Sequence, residues 1–294
     1  MGEQVSKQKT GSDSFLVFVF AIGIMISPDT LALVGNFFGK TGNIGFFLII
    51  FSAIIYFTLL SQYKQFFIFS SDIDILKSKM GYIPLLILFF VKIIVVIFLS
   101  TGLLVSSGFV FNEVFLYWFP NFGFAFILLG LLLGLQFLPA KAVLYSQVAF
   151  CVIPILGLFI LIIAGLIQAD QFVYFKSGDM DYSAKGFGLS AYFLPLLFFI
   201  GFEMGLPIWN KSDQNVVKIN YTLFMAVIFM GMIFILWGYV LLLHVPVEKL
   251  IGTSIPHMIA AKNILGDPGR FIMGTIVISG SLAAIHALFT SISK

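Results

Sequence analysis

The sequence predicts an all-α polytopic membrane protein, and three observations carry that prediction. Hydrophobic residues fill 60% of the 294 positions and charged ones 10%, too few polar groups to coat a water-facing surface. The apolar residues gather in runs of about 20, the length that crosses a bilayer at 1.5 Å per residue. Of 16 basic and 13 acidic side chains, only Asp29, Lys92 and Glu203 fall well inside those runs. The formal net charge of +3 gives no argument for nucleic acid as a partner. The single cysteine, Cys151, permits no internal disulfide and sits in an apolar run, where it reads as packing.

Residues 1–14 form a polar tail. The apolar run behind it is longer than a signal-peptide core and lacks a small-residue cleavage site, so it reads as uncleaved. Spans are expected at 15–37, 44–60, 82–111, 122–138, 142–167, 189–209, 221–244 and 271–292, eight helices in one transmembrane domain over 15–294. With the N-terminus cytoplasmic, the inner segments carry Lys7, Lys9, Lys64, Lys77, Lys79, Lys141, Lys211, Lys218 and Lys294. The outer ones carry Lys40, Lys176, Lys185, Lys249, Lys262 and Arg270. This imbalance favours an N-inside orientation, with the C-terminus inside too. Two long links, 168–188 and 246–270, then lie outside and could cover an entrance.

Two of the spans are built to fail as continuous helices. In the first, FAIGIMISPDTLALVGNFFG, Gly23, Pro28 and Gly35 interrupt the run, and Ser27, Pro28, Asp29 and Thr30 put a polar cluster near its middle. In the sixth, YFLPLLFFIGFEMGLPIWN, the weakening residues are Gly201, Gly205 and Pro207, with Glu203 between them. Proline and glycine loosen a helix, and hydrocarbon offers the freed backbone groups no partner. An unpaired carboxylate at mid-membrane costs roughly 2 to 4 kcal/mol more. Interrupted helices five spans apart are the signature of an inverted repeat whose half-helix ends meet at the midplane around a site. The plainer alternative is two unrelated kinks, with Glu203 bonding its own loosened backbone. Asp29 and Glu203 occupy the two breaks, suited to a cationic group or a proton. Lys92 either pairs with one of these acids or snorkels to the interface. Phe199 and Phe202 flank the second break, where they could line a pocket.

The segment FFIGFEMGLPIWNKSDQN resembles the sixth-helix motif of the amino acid, polyamine and organocation superfamily of permeases. QFLPAKAVLYSQVAFCVIPILGLFILIIAGLI is similar to that family's fourth-to-fifth helix junction. SIPHMIAAKNILGDPGRFIMGTIVISGSLAAIHALFTSISK looks like its seventh-to-eighth link and eighth helix. The resemblance implies a leucine-transporter-type inverted-repeat fold with solute held between the broken first and sixth helices. Its first break falls on Ile26, Ser27, Asp29 and Thr30, and its sixth on Phe199, Gly201, Phe202, Glu203 and Gly205. It also implies that Ser279 and Ser281 stand where sodium-coupled relatives place hydroxyls facing the first helix, although serines in such a glycine-containing span also serve as packing glue. There are departures. Ser27, Pro28 and Asp29 replace the family's glycine-rich first break, which disfavours a plain zwitterion and favours an amine, a cationic amino acid, or a proton on Asp29. The family continues past the eighth helix, where this sequence stops at Lys294, which implies a fragment or a combination of two copies.

The expected function is secondary active transport of an amino acid or related amine by alternating access, coupled to H+ or Na+ or running as exchange. Asp29, Lys92, Ser279 and Ser281 are the candidates for ion or proton coupling. The other readings are a nutrient sensor that keeps a transporter fold and an inactive permease fragment. The location expected is the plasma membrane, in the lipid bilayer, with a homo-oligomer as a possible assembly. No phosphate-binding loop, dinucleotide turn, nucleophile–base pair or metal-spaced cluster occurs in the sequence. No enzyme activity, cofactor, metal or nucleic-acid partner is therefore expected.

Overall fold

The computed structural model describes residues 2–70, 81–168, 190–208 and 216–293, and every regular element among them is helical. In chain order these are α1 (Gly2–Met25), α2 (Pro28–Thr41), α3 (Ile44–Ser70), α4 (Tyr82–Val114), α5 (Asn121–Gln136), α6 (Ala140–Ile167) and α7 (Ser190–Leu197). A 3-10 helix (Phe202–Ile208) follows, then α8 (Val216–His244), α9 (Val247–Gly252), α10 (Pro256–Leu265) and α11 (Asp267–Ser293).

Five of these, α3, α4, α6, α8 and α11, are long and apolar enough to cross a membrane, and the pair α1 and α2, bent by 58°, brings the number to six if it is one broken span rather than a re-entrant loop. The expectation of eight spans is corrected at two places. α5 has 16 residues, about 24 Å of helix at 1.5 Å per residue, short of a hydrocarbon core of about 30 Å. Pro120 at its N-cap sets its start, and it ends at Gln136, three residues before Pro139. The sixth apolar run is not one helix: α7 stops after eight residues and the chain resumes as the 3-10 segment.

α1 is the hub. Its apolar residues have no polar face to offer, and such a helix belongs inside a bundle. Val17, Ala21, Ile22 and Met25 join a core shared with α2, α3, α6 and α8. Leu16, Phe20 and Ile24 join a second core with α4 and α5. α11 is the only other helix with a large share in both, through Met273 and Val277 in the first and Ile285 and Leu288 in the second. By contrast α4 leaves Ile83, Ile87, Phe90, Ile94 and Phe98 exposed, a face suited to lipid.

Of the two long links, 169–189 lies outside the described residues. The other folds as α9 and α10 and packs onto α2. Small residues permit the approach, since a Cβ on Gly35 would stand 2.5 Å from Pro256 Cγ and one on Gly39 would stand 2.7 Å from Leu250 Cβ. His257, in this cap and outside the spans, is 4% exposed, and burial pushes its imidazole down to about 4. Its Nδ1 has no hydrogen-bond partner among the described residues. The folded protein therefore keeps His257 neutral where the unfolded chain, near 6.5, takes up a proton. The resulting stability is present above about pH 6.5 and is lost as pH falls toward 4, by about 2 kcal/mol near pH 5. Thermal unfolding at neutral and acidic pH should show that loss, and His257→Leu should remove it; an unchanged pH profile in the variant would refute the assignment.

Candidate functional site

The first break is a helix start placed inside a span. Ser27 sits at the N-cap of α2 with φ −60° and ψ 150°, the extended geometry that turns the chain out of α1 and into a new helix. Its Oγ accepts from the Thr30 backbone N–H at 3.4 Å, and the two hydroxyls lie 3.0 Å apart. Pro28 occupies the first turn, where its missing N–H costs nothing. Asp29 stands in the same turn, where a carboxylate complements the positive end of the helix dipole. Ile26, Ser27 and Thr30 are buried, whereas Asp29 is exposed. α11 closes on this break at Gly280, where a Cβ would meet the Ile26 carbonyl oxygen at 2.9 Å.

The second break begins where α7 ends. Phe198 N–H donates to the Pro195 carbonyl at 3.2 Å and Ile200 N–H to that of Leu197 at 3.3 Å, so the last turn tightens and frees the Leu196 carbonyl. That carbonyl accepts from Tyr56 Oη of α3 at 2.7 Å. Gly201 then takes φ +94°, a conformation that side chains other than glycine's resist. At the other edge of the break the Glu203 carboxylate lies beside the backbone N–H groups of Gly201 and of Glu203 itself. Loosened donors and acceptors are thus satisfied within protein, as apolar surroundings require.

The second break packs on α1, ahead of the first. Gly201 lies against the side chain of Ile24, and Gly205 against the carbonyl of Val17, so closely that a Cβ at either would overlap α1. Phe199 and Phe202 are buried and each ring sits 5.4 Å from that of Tyr56. Phe198 meets Phe37 of α2 at 5.5 Å. This aromatic cluster fills the space behind the break.

Lys92 finds Glu203. Its Nζ donates to the carbonyl and to the Oγ of Ser291, both at 3.3 Å, and its charge lies within electrostatic reach of Glu203. Asp29 has no charged partner within such reach among the described residues. The two acids are therefore unlike: Glu203 is partly buried within reach of a cation, whereas Asp29 is exposed. Ser279 and Ser281 are both buried in α11. The Ser279 hydroxyl donates to the Thr275 carbonyl of its own helix at 2.6 Å, while Ser281 Oγ has no hydrogen-bond partner among the described residues. No group of three or more metal-ligating side chains occurs among the described residues.

If Lys92 and Glu203 act on each other, Lys92→Met and Glu203→Gln should not be additive. A thermal-denaturation cycle is expected to return a coupling of about 1 kcal/mol or less, as for partly exposed pairs, and one that shrinks in high salt. Strict additivity at low salt would show that the two charges do not interact.

Sequence reading missed Tyr56, and it missed Gln147. Gln147 is fully buried; its Nε2 donates to the Ala283 carbonyl at 3.1 Å and its Oε1 faces His286 Nδ1 at 2.8 Å. The signal available was a lone amide in an apolar span, which needs partners as surely as a charge does.

No family model matches this chain, and a search of curated proteins returns no match.

Proposed function

We propose that the chain is a carrier for a small organic solute, an amino acid or related amine, working by alternating access and driven by a proton or sodium gradient. One observation carries this reading: the second interruption, far from the first in the chain, packs on α1 just ahead of the first, Gly201 on Ile24. Broken helices that meet inside a bundle supply half-helix ends to a solute without a cofactor. The open carboxylate of Asp29, at the start of α2, adds an attraction for an ammonium group.

On this reading the pairing of the two breaks reflects an inverted-repeat architecture and kinship with the amino acid, polyamine and organocation permeases. Glu203 then holds the second break in shape, and Ile26, Ser27, Thr30, Gly201 and Gly205 bring backbone and hydroxyl groups to the solute. Phe199 and Phe202 act from behind, through Tyr56. The orientation on this reading is N-inside, by the distribution of lysines.

Reconstitution into liposomes decides the matter. Radiolabelled leucine, lysine and putrescine are offered with an inward proton gradient, an inward sodium gradient, or neither. Accumulation of one of them above equilibrium supports the carrier. Saturable binding with no accumulation identifies a sensor instead, and neither binding nor uptake refutes both readings.

A further inference from the structure

Where α1, α6 and α11 meet, away from both breaks, a closed set of polar side chains surrounds His286. The ring is fully buried, yet both nitrogens are engaged. Nδ1 faces Gln147 Oε1 at 2.8 Å and Nε2 faces Ser146 Oγ at 3.3 Å. The Gln147 amide can point only one way, because its Nε2 donates to the Ala283 carbonyl at 3.1 Å and the reverse would set two acceptors together. Nδ1 of His286 therefore carries a hydrogen.

The other nitrogen has two satisfied states. The Ser146 hydroxyl owns one hydrogen, and its Oγ lies 2.8 Å from the Val143 carbonyl and 3.3 Å from Nε2. Turned toward Nε2, the hydroxyl donates to a neutral imidazole. Turned toward Val143, it leaves an oxygen lone pair facing Nε2, which is correct only if Nε2 bears a second hydrogen. One rotation of a hydroxyl thus converts a site for imidazole into a site for imidazolium: Nε2 is bonded in both states, and the Val143 carbonyl receives the hydroxyl only in the charged one. Two rings are placed to favour the cation: Phe150 at 5.8 Å and Phe20 at 6.1 Å from the imidazole, at the limit of cation–π attraction.

We propose that His286 is a proton-binding site, alternating between singly and doubly protonated imidazole, which the inner half of α1 covers and uncovers. α1 supplies the cover through Phe20 and through Gly23, whose missing side chain lets Gln147 Nε2 lie against the helix. The Cys151 thiol, bonded to the Val19 carbonyl at 3.4 Å, ties α6 to the same stretch. Displacing α1 opens this flank of the network, and on the transport reading above that movement makes the bound proton a driving ion.

Other titratable groups on the elements packed against α11 are distinct from this site. α4 brings Tyr82, Lys92 and, at its far end, Glu113. α6 brings Lys141, Tyr145 and Cys151, the 3-10 segment Glu203, α2 Asp29 and Lys40, and α10 His257 and Lys262, whereas α5 and the described side chains of α1 bring none. None of these forms a hydrogen bond to His286 among the described residues.

The test uses the full chain in phosphatidylcholine vesicles with 15N-labelled histidine. Side-chain nitrogen resonances are followed from about pH 8 to 4, the range in which imidazole titrates, and His286→Asn identifies the His286 signals among the three histidines. Nδ1 should remain protonated throughout while Nε2 gains a hydrogen on acidification. Ser146→Ala, which removes the acceptor for that second hydrogen, should weaken proton binding about tenfold, one unit in midpoint. An Nε2 that stays bare to the acid limit, or a titration that Ser146→Ala leaves unmoved, overturns the proposal. Uptake of the same three radiolabelled solutes separates the two ideas. If the wild-type chain accumulates none of them while Nε2 titrates as described, the carrier reading falls and the proton site stands. If it does accumulate one, His286→Asn should abolish stimulation by an acid-outside gradient and spare solute exchange; undiminished stimulation in that variant refutes the site as the driver.

Discussion

Gly201→Ala is expected to destabilise the protein by about 3 kcal/mol, the largest effect of any single methyl group at the breaks. Two costs add there. The backbone stands at φ +94°, a region that costs a residue with a Cβ on the order of 1 kcal/mol or more. The new methyl also overlaps Ile24 of α1, and overpacking a core costs about 1 to 3 kcal/mol. The parts separate experimentally. Ile24→Ala in the same chain relieves the overlap and leaves the backbone cost, so the double variant should unfold at a higher temperature than the sum of the single effects predicts. Gly205→Ala is the companion case: it meets the Val17 backbone carbonyl, which cannot step aside as a side chain does. If Gly201→Ala has wild-type thermal stability, the close packing of the two breaks is wrong.

That packing shows how far the sequence could be read. Ser27, Pro28 and Asp29 spell a helix start, with N-cap, first-turn proline and acid in the first turn, and the chain starts a helix there although apolar residues flank it on both sides. The second break was legible through Gly201 and Glu203. Its edge was less so: α7 ends at Leu197, ahead of the glycine, because the turn built on Pro195 closes with bonds that span three residues instead of four. What could not be read is who satisfies whom. Tyr56 reaches Leu196 across 140 residues and His286 reaches Gln147 across 139. An uncharged polar residue in an apolar run announces a need for a partner without naming it. The same holds for Lys92, whose hydrogen bonds to Ser291 depend on the way α4 lies along α11. The short fourth helix was misjudged for another reason: hydropathy ran on to residue 138, while the backbone stopped ahead of Pro139.

Asp29→Asn should abolish or redirect solute binding while leaving the fold intact, a loss of at least tenfold in affinity for an amine-bearing solute. The structural cost is small, because the side chain is exposed and asparagine at a helix start forfeits only the charge–dipole attraction of about 0.3 to 1 kcal/mol. The functional cost is larger, because on the carrier reading this carboxylate faces the solute's ammonium group, and a charge-assisted hydrogen bond is worth about 1.5 to 3 kcal/mol. Glu203→Gln should do the reverse. The amide keeps one oxygen for the Gly201 and Glu203 backbone N–H groups but loses its charge toward Lys92, so the break loosens and stability falls before affinity does. The contrast separates a solute contact from a scaffold at two positions that look alike in the sequence. Equilibrium binding of radiolabelled lysine, set beside the melting temperature of each variant, reads both quantities. Unchanged affinity and ion dependence in Asp29→Asn would take this residue out of the solute site and would leave its carboxylate as no more than the first-turn charge of α2.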